Sequence, residues 1–137
     1  MSDNVRTVSV EWQGGMRFRG GAPGKPQTLI DADNADAPGP MLTLLVALMG
    51  CSGADIISML AKMQVKLRRF GAEVHGTRAE DHPKRYIKIH MVITLAGDGL
   101  DEAKARRAID LSIEKYCSVI HSLNPDIPLT YDLVLAP

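Results

Sequence analysis

Two thiols, Cys51 and Cys117, are the side chains of this chain with the widest chemical range. A cysteine acts as nucleophile or metal ligand only as its thiolate, which needs a lowered pKa and access. They lie 66 positions apart, so only the fold can bring them together. If it does, one thiolate can attack an oxidant and the other can resolve the resulting sulfenic acid as a disulfide. If it does not, two buried cysteines acting as small hydrophobes are the common outcome, and composition alone favours that. Cys117 and His121 stand one helical turn apart, a spacing used by metal ligands, and Cys51 could join them. Three ligands lack a clear fourth, and a histidine near a helix C-terminus serves ordinarily as a dipole partner. No metal and no cofactor are therefore expected. His75, His82 and His90 fall on strands or a hairpin, with no Ser or Asp partner legible. Arg17 and Arg19 share one strand face, either simply exposed or reaching a thiolate. Glu114, one turn before Cys117, would oppose ionisation of that thiol.

The elements that must position these groups are legible from periodicity. Residues 38–71 carry the longest helical signal: Pro40 suits a first turn, and Lys66, Arg68 and Arg69 precede Gly71 as a cationic end. Residues 41–49 are apolar on every side, which predicts burial all round. From Ile56 on the pattern turns amphipathic, through Ile57, Leu60, Met63 and Leu67. Gly50 and Gly53 flank Cys51 and Ser52 and weaken a helix by about 1 kcal/mol each. A break is expected there, with free backbone donors at a helix start beside Cys51. Alternation predicts half-buried strands over 5–12 and 16–20, a short strand over 27–31, and another at 72–77. Residues 86–95 alternate most cleanly, with Ile87, Ile89, Met91, Ile93 and Leu95 on one face. A second helix begins at Leu100 or Asp101, with Asp101 as N-cap. Its apolar face is Ala105, Ile109, Ile113, Tyr116, Cys117 and Ile120, and Asn124-Pro125 ends it. Residues 129–135 form a last strand. Helices grouped between antiparallel strands make the class α+β, in one domain spanning 1–137.

Composition narrows the partners. The chain has 137 residues, enough for a substantial core, and its 16 basic and 16 acidic residues cancel. That balance supplies no attraction for nucleic acid or an anionic membrane surface. Six aromatic residues offer little for base stacking. The apolar run 41–51 is too short to span a bilayer, and the N-terminus lacks a signal-peptide core, so a cytoplasmic protein is expected.

Three blocks carry a family resemblance: PMLTLLVALMGCSGADIISMLAKM at 40–63, EDHPKRYIKIH at 80–90 and AIDLSIEKYCSV at 108–119. In order and spacing they resemble the OsmC/Ohr family, most closely its small YhfA-like branch. The resemblance implies an OsmC-like α+β fold with two main helical segments, intertwined as a homodimer with active sites at the interface. It implies a thiol peroxidase that reduces organic hydroperoxides, re-reduced by a dithiol such as a lipoylated protein. By motif position Cys51 matches the peroxidatic cysteine, Cys117 the resolving one, and Arg17 the active-site arginine, with Arg19 as the fallback. Met41, Leu42, Leu45 and Met49 would line an apolar substrate pocket. The family's glutamate shortly before the first cysteine is missing, since Met41, Leu42 and Thr43 stand there. Arg17 is therefore expected to be untethered, leaving a helix start near Cys51 as the main device for activating that thiol. The alternatives are a non-catalytic dimer holding a small apolar ligand in its interface, or a stress-associated structural dimer.

Overall fold

A computed structural model describes residues 4–137. The chain forms two compact units that divide between Leu44 and Leu45. In the first, β1 (Ser9–Trp12), β2 (Arg17–Gly21) and β3 (Thr28–Asp31) make an antiparallel sheet in the order β1-β2-β3. The β1–β2 turn uses Gly14 and Gly15 at φ 94° and 56°, a region that glycine enters without a Cβ penalty. The half-buried strand expected from Val5 is shorter and uncovered: Val8, Val10 and Trp12 are 65%, 61% and 66% exposed. Alternation marks a face suited to burial but does not say what buries it. The polar stretch after β3 is organised by Asp31, which is buried and accepts the backbone N–H groups of Asp33 (2.9 Å), Ala35 (3.3 Å) and Asp36 (2.9 Å). The Asp36 and Asp33 amides, chiefly, hold its carboxyl below the usual range.

The helix α1 (Pro40–Lys62) runs without interruption across the division between the units, so the break expected at Gly50–Gly53 is absent. A Cβ on Gly53 would stand 3.3 Å from the Phe70 ring, so this glycine lets the helix approach its neighbour closely. Tertiary packing of that face offsets the propensity penalty. The helix also stops nine residues before Gly71. Gln64 takes the left-handed conformation (φ 67°), the Val65 amide donates to the Leu60 carbonyl (3.0 Å) and the Gln64 amide to that of Ala61 (3.1 Å). This is a Schellman closure built without glycine. Lys66, Arg68, Arg69 and Leu67, expected on the helix, belong instead to a strand. Nor is the apolar half of α1 buried all round: Leu45 and Leu48 are buried, but Leu42 and Val46 are 46% and 64% exposed. Unbroken, the helix has 23 residues and is long and apolar enough by composition to cross a membrane. Here its buried face, Leu48, Ser52, Gly53, Ile56 and Leu60, is part of the second unit's core.

The second sheet has the order β4-β5-β6, from β4 (Lys66–Arg78), β5 (Tyr86–Asp98) and β6 (Leu129–Leu135). β4 and β5 form a long antiparallel hairpin, but β6 lies parallel to β5, which corrects the all-antiparallel expectation. Parallel neighbours need a crossover, and the intervening helices supply it. Ile89, Met91, Ile93 and Leu95 are fully buried as their alternation predicts, while Ile87 at the hairpin end is exposed. α2 (Glu102–Leu111) begins at Asp101, whose carboxylate accepts the Lys104 N–H at 2.8 Å, as expected. It then widens into a π-helical turn (Ser112–Tyr116) before a short α3 (Ser118–Ser122). The extra residue in that turn rotates Tyr116 outward, against expectation, and leaves Ser112 and Cys117 fully buried. The result is a mixed α+β fold with two small sheets.

Candidate active site

Cys51 sits at mid-helix in α1, half-buried, and Asp55 follows it by one turn on the same face. Cys117 arrives from the other helical segment, at the junction of the π-turn and α3. The two sulfurs and a carboxylate oxygen of Asp55 lie within 4.8 Å of one another. The expected proximity of Cys51 to Cys117 is thus a feature of the second unit.

The π-turn is what aims the second thiol. The Cys117 amide donates to the Ser112 carbonyl (2.8 Å), the wide-turn bond, and its backbone then leaves helical geometry at φ −70°, ψ 106°. Cys117 thereby becomes the N-cap of α3, and its sulfur accepts the Ile120 N–H at 3.5 Å. Its own S–H points to the Leu48 carbonyl at 3.9 Å. Burial, against which the Ile120 amide works, pushes the Cys117 thiol up to about 11, and the neighbouring Cys51 sulfur adds to the rise. Cys117 is therefore a protonated thiol at neutral pH. Helix-start donors exist in this site, but they serve Cys117. The expected helix start beside Cys51 is absent, because α1 is continuous there.

Beneath the thiols runs a buried polar chain. Ser112 Oγ donates to Asp55 Oδ2 (3.1 Å), and because that uses its one proton, Ser52 Oγ must donate to Ser112 Oγ (2.9 Å). Both serines are fully buried. Sequence reasoning missed all three residues. Asp55 was within reach, since i,i+4 spacing puts it beside Cys51, whereas the 60-residue separation of Ser52 and Ser112 is closed only by the fold. Glu114, read from spacing as the carboxylate opposing Cys117, is exposed, and Asp55 is the acid found near the sulfurs.

The other candidates fall elsewhere. Arg17 belongs to the first unit, where its guanidinium bonds Asp36 Oδ2 (2.8 Å) and the Gln13 carbonyl (3.3 Å). It is tethered after all, by Asp36, 19 residues downstream, rather than by a carboxylate in the 41–43 stretch. Arg19 lines a shallow cleft with Ser9, Glu11 and Gln27. His121 donates its Nε2 proton to the Ile113 carbonyl (3.1 Å), so the Cys51/Cys117/His121 grouping suggested by spacing is not formed. His90 contacts Thr130 Oγ1 (2.7 Å) and Asp132 Oδ2 (3.0 Å) across β5 and β6, partners not legible beforehand. An apolar cavity of about 290 Å³ opens between Ile89, Ile113, Ile120, Leu123, Ile127 and Leu129. None of Met41, Leu42, Leu45 and Met49 lines it.

Comparison with known proteins agrees with this architecture. The family model for OsmC-like proteins matches residues 32–132. Protein YhfA of Escherichia coli is 35% identical over 130 residues, covering 93% of this chain and 97% of that protein. A hypothetical protein from Aquifex aeolicus has a crystal structure similar to this fold, with TM-score 0.83, 25% identity, and coverage of 97% of this chain and 98% of that one. The organic hydroperoxide resistance protein OhrB of Bacillus subtilis shares the fold at TM-score 0.61 and 16% identity, over 93% of this chain and 98% of its own.

Proposed function

The chain belongs to the OsmC-like protein family, and from that membership we propose that it is a thiol-dependent peroxidase reducing organic hydroperoxides through Cys51 and Cys117. The observation that carries this reading is the proximity of the two sulfurs, within 4.8 Å. Cys51 is the attacking residue because it is the more accessible sulfur, while Cys117 is buried and holds its proton. The Cys51 thiolate attacks the distal oxygen of ROOH; the O–O bond breaks, ROH leaves after taking up one proton, and Cys51 becomes a sulfenic acid. The Cys117 sulfur then displaces that hydroxyl as water, forming the disulfide. An external dithiol, such as a protein-bound lipoyl group, returns both sulfurs to thiols by exchange. Arg17 is the residue assigned to favour the Cys51 thiolate, and Arg17→Ala should lower turnover without altering the thiol count.

The working protein is proposed to be a cytoplasmic homodimer in which the whole chain acts as one OsmC-like domain. Apolar residues left uncovered in each unit, Val8, Val10 and Trp12 in one and Val46 and Ile57 in the other, support association. The test is consumption of an organic hydroperoxide with a dithiol reductant, in wild type and Cys51→Ser. Turnover lost in the variant supports the peroxidase. Equal, negligible consumption in both overturns it. The rival is a non-catalytic dimer that binds a small apolar ligand, and the cavity of about 290 Å³ among Ile89, Ile113, Ile120 and Leu129 favours it.

A further inference from the structure

Asp55 is the group the peroxidase chemistry does not use, although it stands beside both sulfurs. Two sulfurs and a carboxylate gathered in a half-buried site concentrate negative charge once any proton leaves. A divalent cation reverses that relation, because all three groups then stabilise it. We propose that Cys51, Asp55 and Cys117 form a binding site for a soft divalent metal ion, Zn²⁺ by chemistry.

Four features of the site support the assignment. Cys51 and Asp55 are four residues apart on one α-helix, the spacing by which a helix presents two ligands to one ion. Cys117 comes from a separate element, held by the π-turn, so the ligands converge from two sides. The Asp55 carboxylate is oriented by the Ser112 hydroxyl, which is in turn bonded by Ser52, both buried, as outer-shell partners orient metal-bound carboxylates. The carboxylate, which can accept several bonds, keeps acceptor capacity for the ion beside that one. Finally, a tetrahedral zinc with bonds of about 2.0–2.3 Å sets its ligand atoms about 3.5–3.8 Å apart. From at most 4.8 Å, a closure of about 1.3 Å or less completes the site.

Two thiolates select zinc over calcium or magnesium, which prefer oxygen ligands. On binding, two S–H bonds break, both protons go to solvent, and two sulfur–metal bonds and one oxygen–metal bond form, with no change of oxidation state. Three protein ligands leave a fourth position for water or an incoming thiol or thioether. The bound ion and the disulfide are mutually exclusive, since they use the same sulfurs. The inference stands on the three ligand atoms and does not need peroxide turnover.

Co²⁺ titration of the reduced, chelator-treated full-length protein tests it. The expected result is one Co²⁺ per chain, with the near-ultraviolet thiolate charge-transfer band and the intense visible bands of a tetrahedral ion, displaced by Zn²⁺. Cys51→Ser and Cys117→Ser should each abolish the charge-transfer intensity of one sulfur. Asp55→Asn, nearly isosteric and so expected to fold, should weaken binding at least about tenfold, since even outer-shell losses cost that much. His121→Ala should leave the spectrum unchanged. Absence of the charge-transfer band, or its survival at full intensity in Cys51→Ser, overturns the site. So does undiminished affinity in Asp55→Asn, or loss of the band in His121→Ala. A protein that reduces no peroxide yet gives these bands retains the site, and one that turns over but gives none loses it.

Discussion

At the scale of single residues, burial and hydrogen bonding decide what each thiol can do. Cys117 is fully buried and keeps its proton, so its reactivity should rise late with pH. In Cys51→Ser, which removes the neighbouring sulfur's smaller contribution but keeps the burial, the alkylation rate of Cys117 under native conditions should still climb through pH 9. A plateau near pH 8 would contradict the buried-thiol account. The same shift has a stability consequence. The folded pKa lies above the reference value of 9.0, so this contribution is fully present below pH 9 and is lost as pH rises toward about 11. Ser112 is the second decisive residue, since it satisfies Asp55 and Ser52 together. Ser112→Ala leaves a buried hydroxyl and a carboxylate each short of a partner, and should cost about 1–3 kcal/mol in urea unfolding. A change under about 0.5 kcal/mol, typical of a surface substitution, would show the polar chain to be incidental.

At the scale of elements, backbone conformation at the ends and bends explains where the helices and strands stop. α1 ends on Gln64 in a left-handed conformation that a side chain enters at a cost, so Gln64→Gly should stabilise the chain by about 0.5–1 kcal/mol. Chemical denaturation checks this, and a loss of stability would mean that the glutamine side chain itself holds the turn. The β4–β5 pairing shifts register between Leu67 and Arg69, opposite Gly97. A Cβ on Gly97 would stand 2.7 Å from the Lys66 carbonyl oxygen and 3.1 Å from the Leu67 Cα, both backbone atoms with little room to move. Gly97→Ala should therefore destabilise by about 1–3 kcal/mol, read as a lowered urea midpoint. An unchanged midpoint would show that the strand can shift freely at its bulge.

At the scale of the whole molecule, the question is what covers the apolar residues left at the surface. Val46 and Ile57 project from α1 at 64% and 47% exposure. If a second copy covers them, light scattering at micromolar concentration should give about twice the 14.9 kDa chain mass, and Val46→Glu should shift it toward one chain. A wild type that stays monomeric would remove the dimer, and with it the idea of an active site completed at an interface.

Much of this protein was determined by local sequence. The period-two run 86–95 became the buried face of β5, Asp101 capped α2, and residues 129–135 formed β6 as read. Each depends on side-chain spacing and a cap, which act over one or two turns of chain. The α+β class and the two cysteine blocks follow from the same local signals. What needed the tertiary structure is whatever depends on a partner far along the chain. Gly50 and Gly53 read as a break until Phe70 packs on Gly53 and makes a glycine the fitting residue in an unbroken helix. The 64–70 segment reads as helix until the Gln64 turn and pairing with β5 capture it as a strand. Tyr116 reads as core until the π-turn inserts its extra residue and turns Ser112 and Cys117 inward. The site itself has this character: spacing names Cys51 and Cys117, but only packing sets Asp55, Ser52 and Ser112 around them. Local propensity is worth about 1 kcal/mol per residue, and long-range packing outweighs it wherever the two disagree.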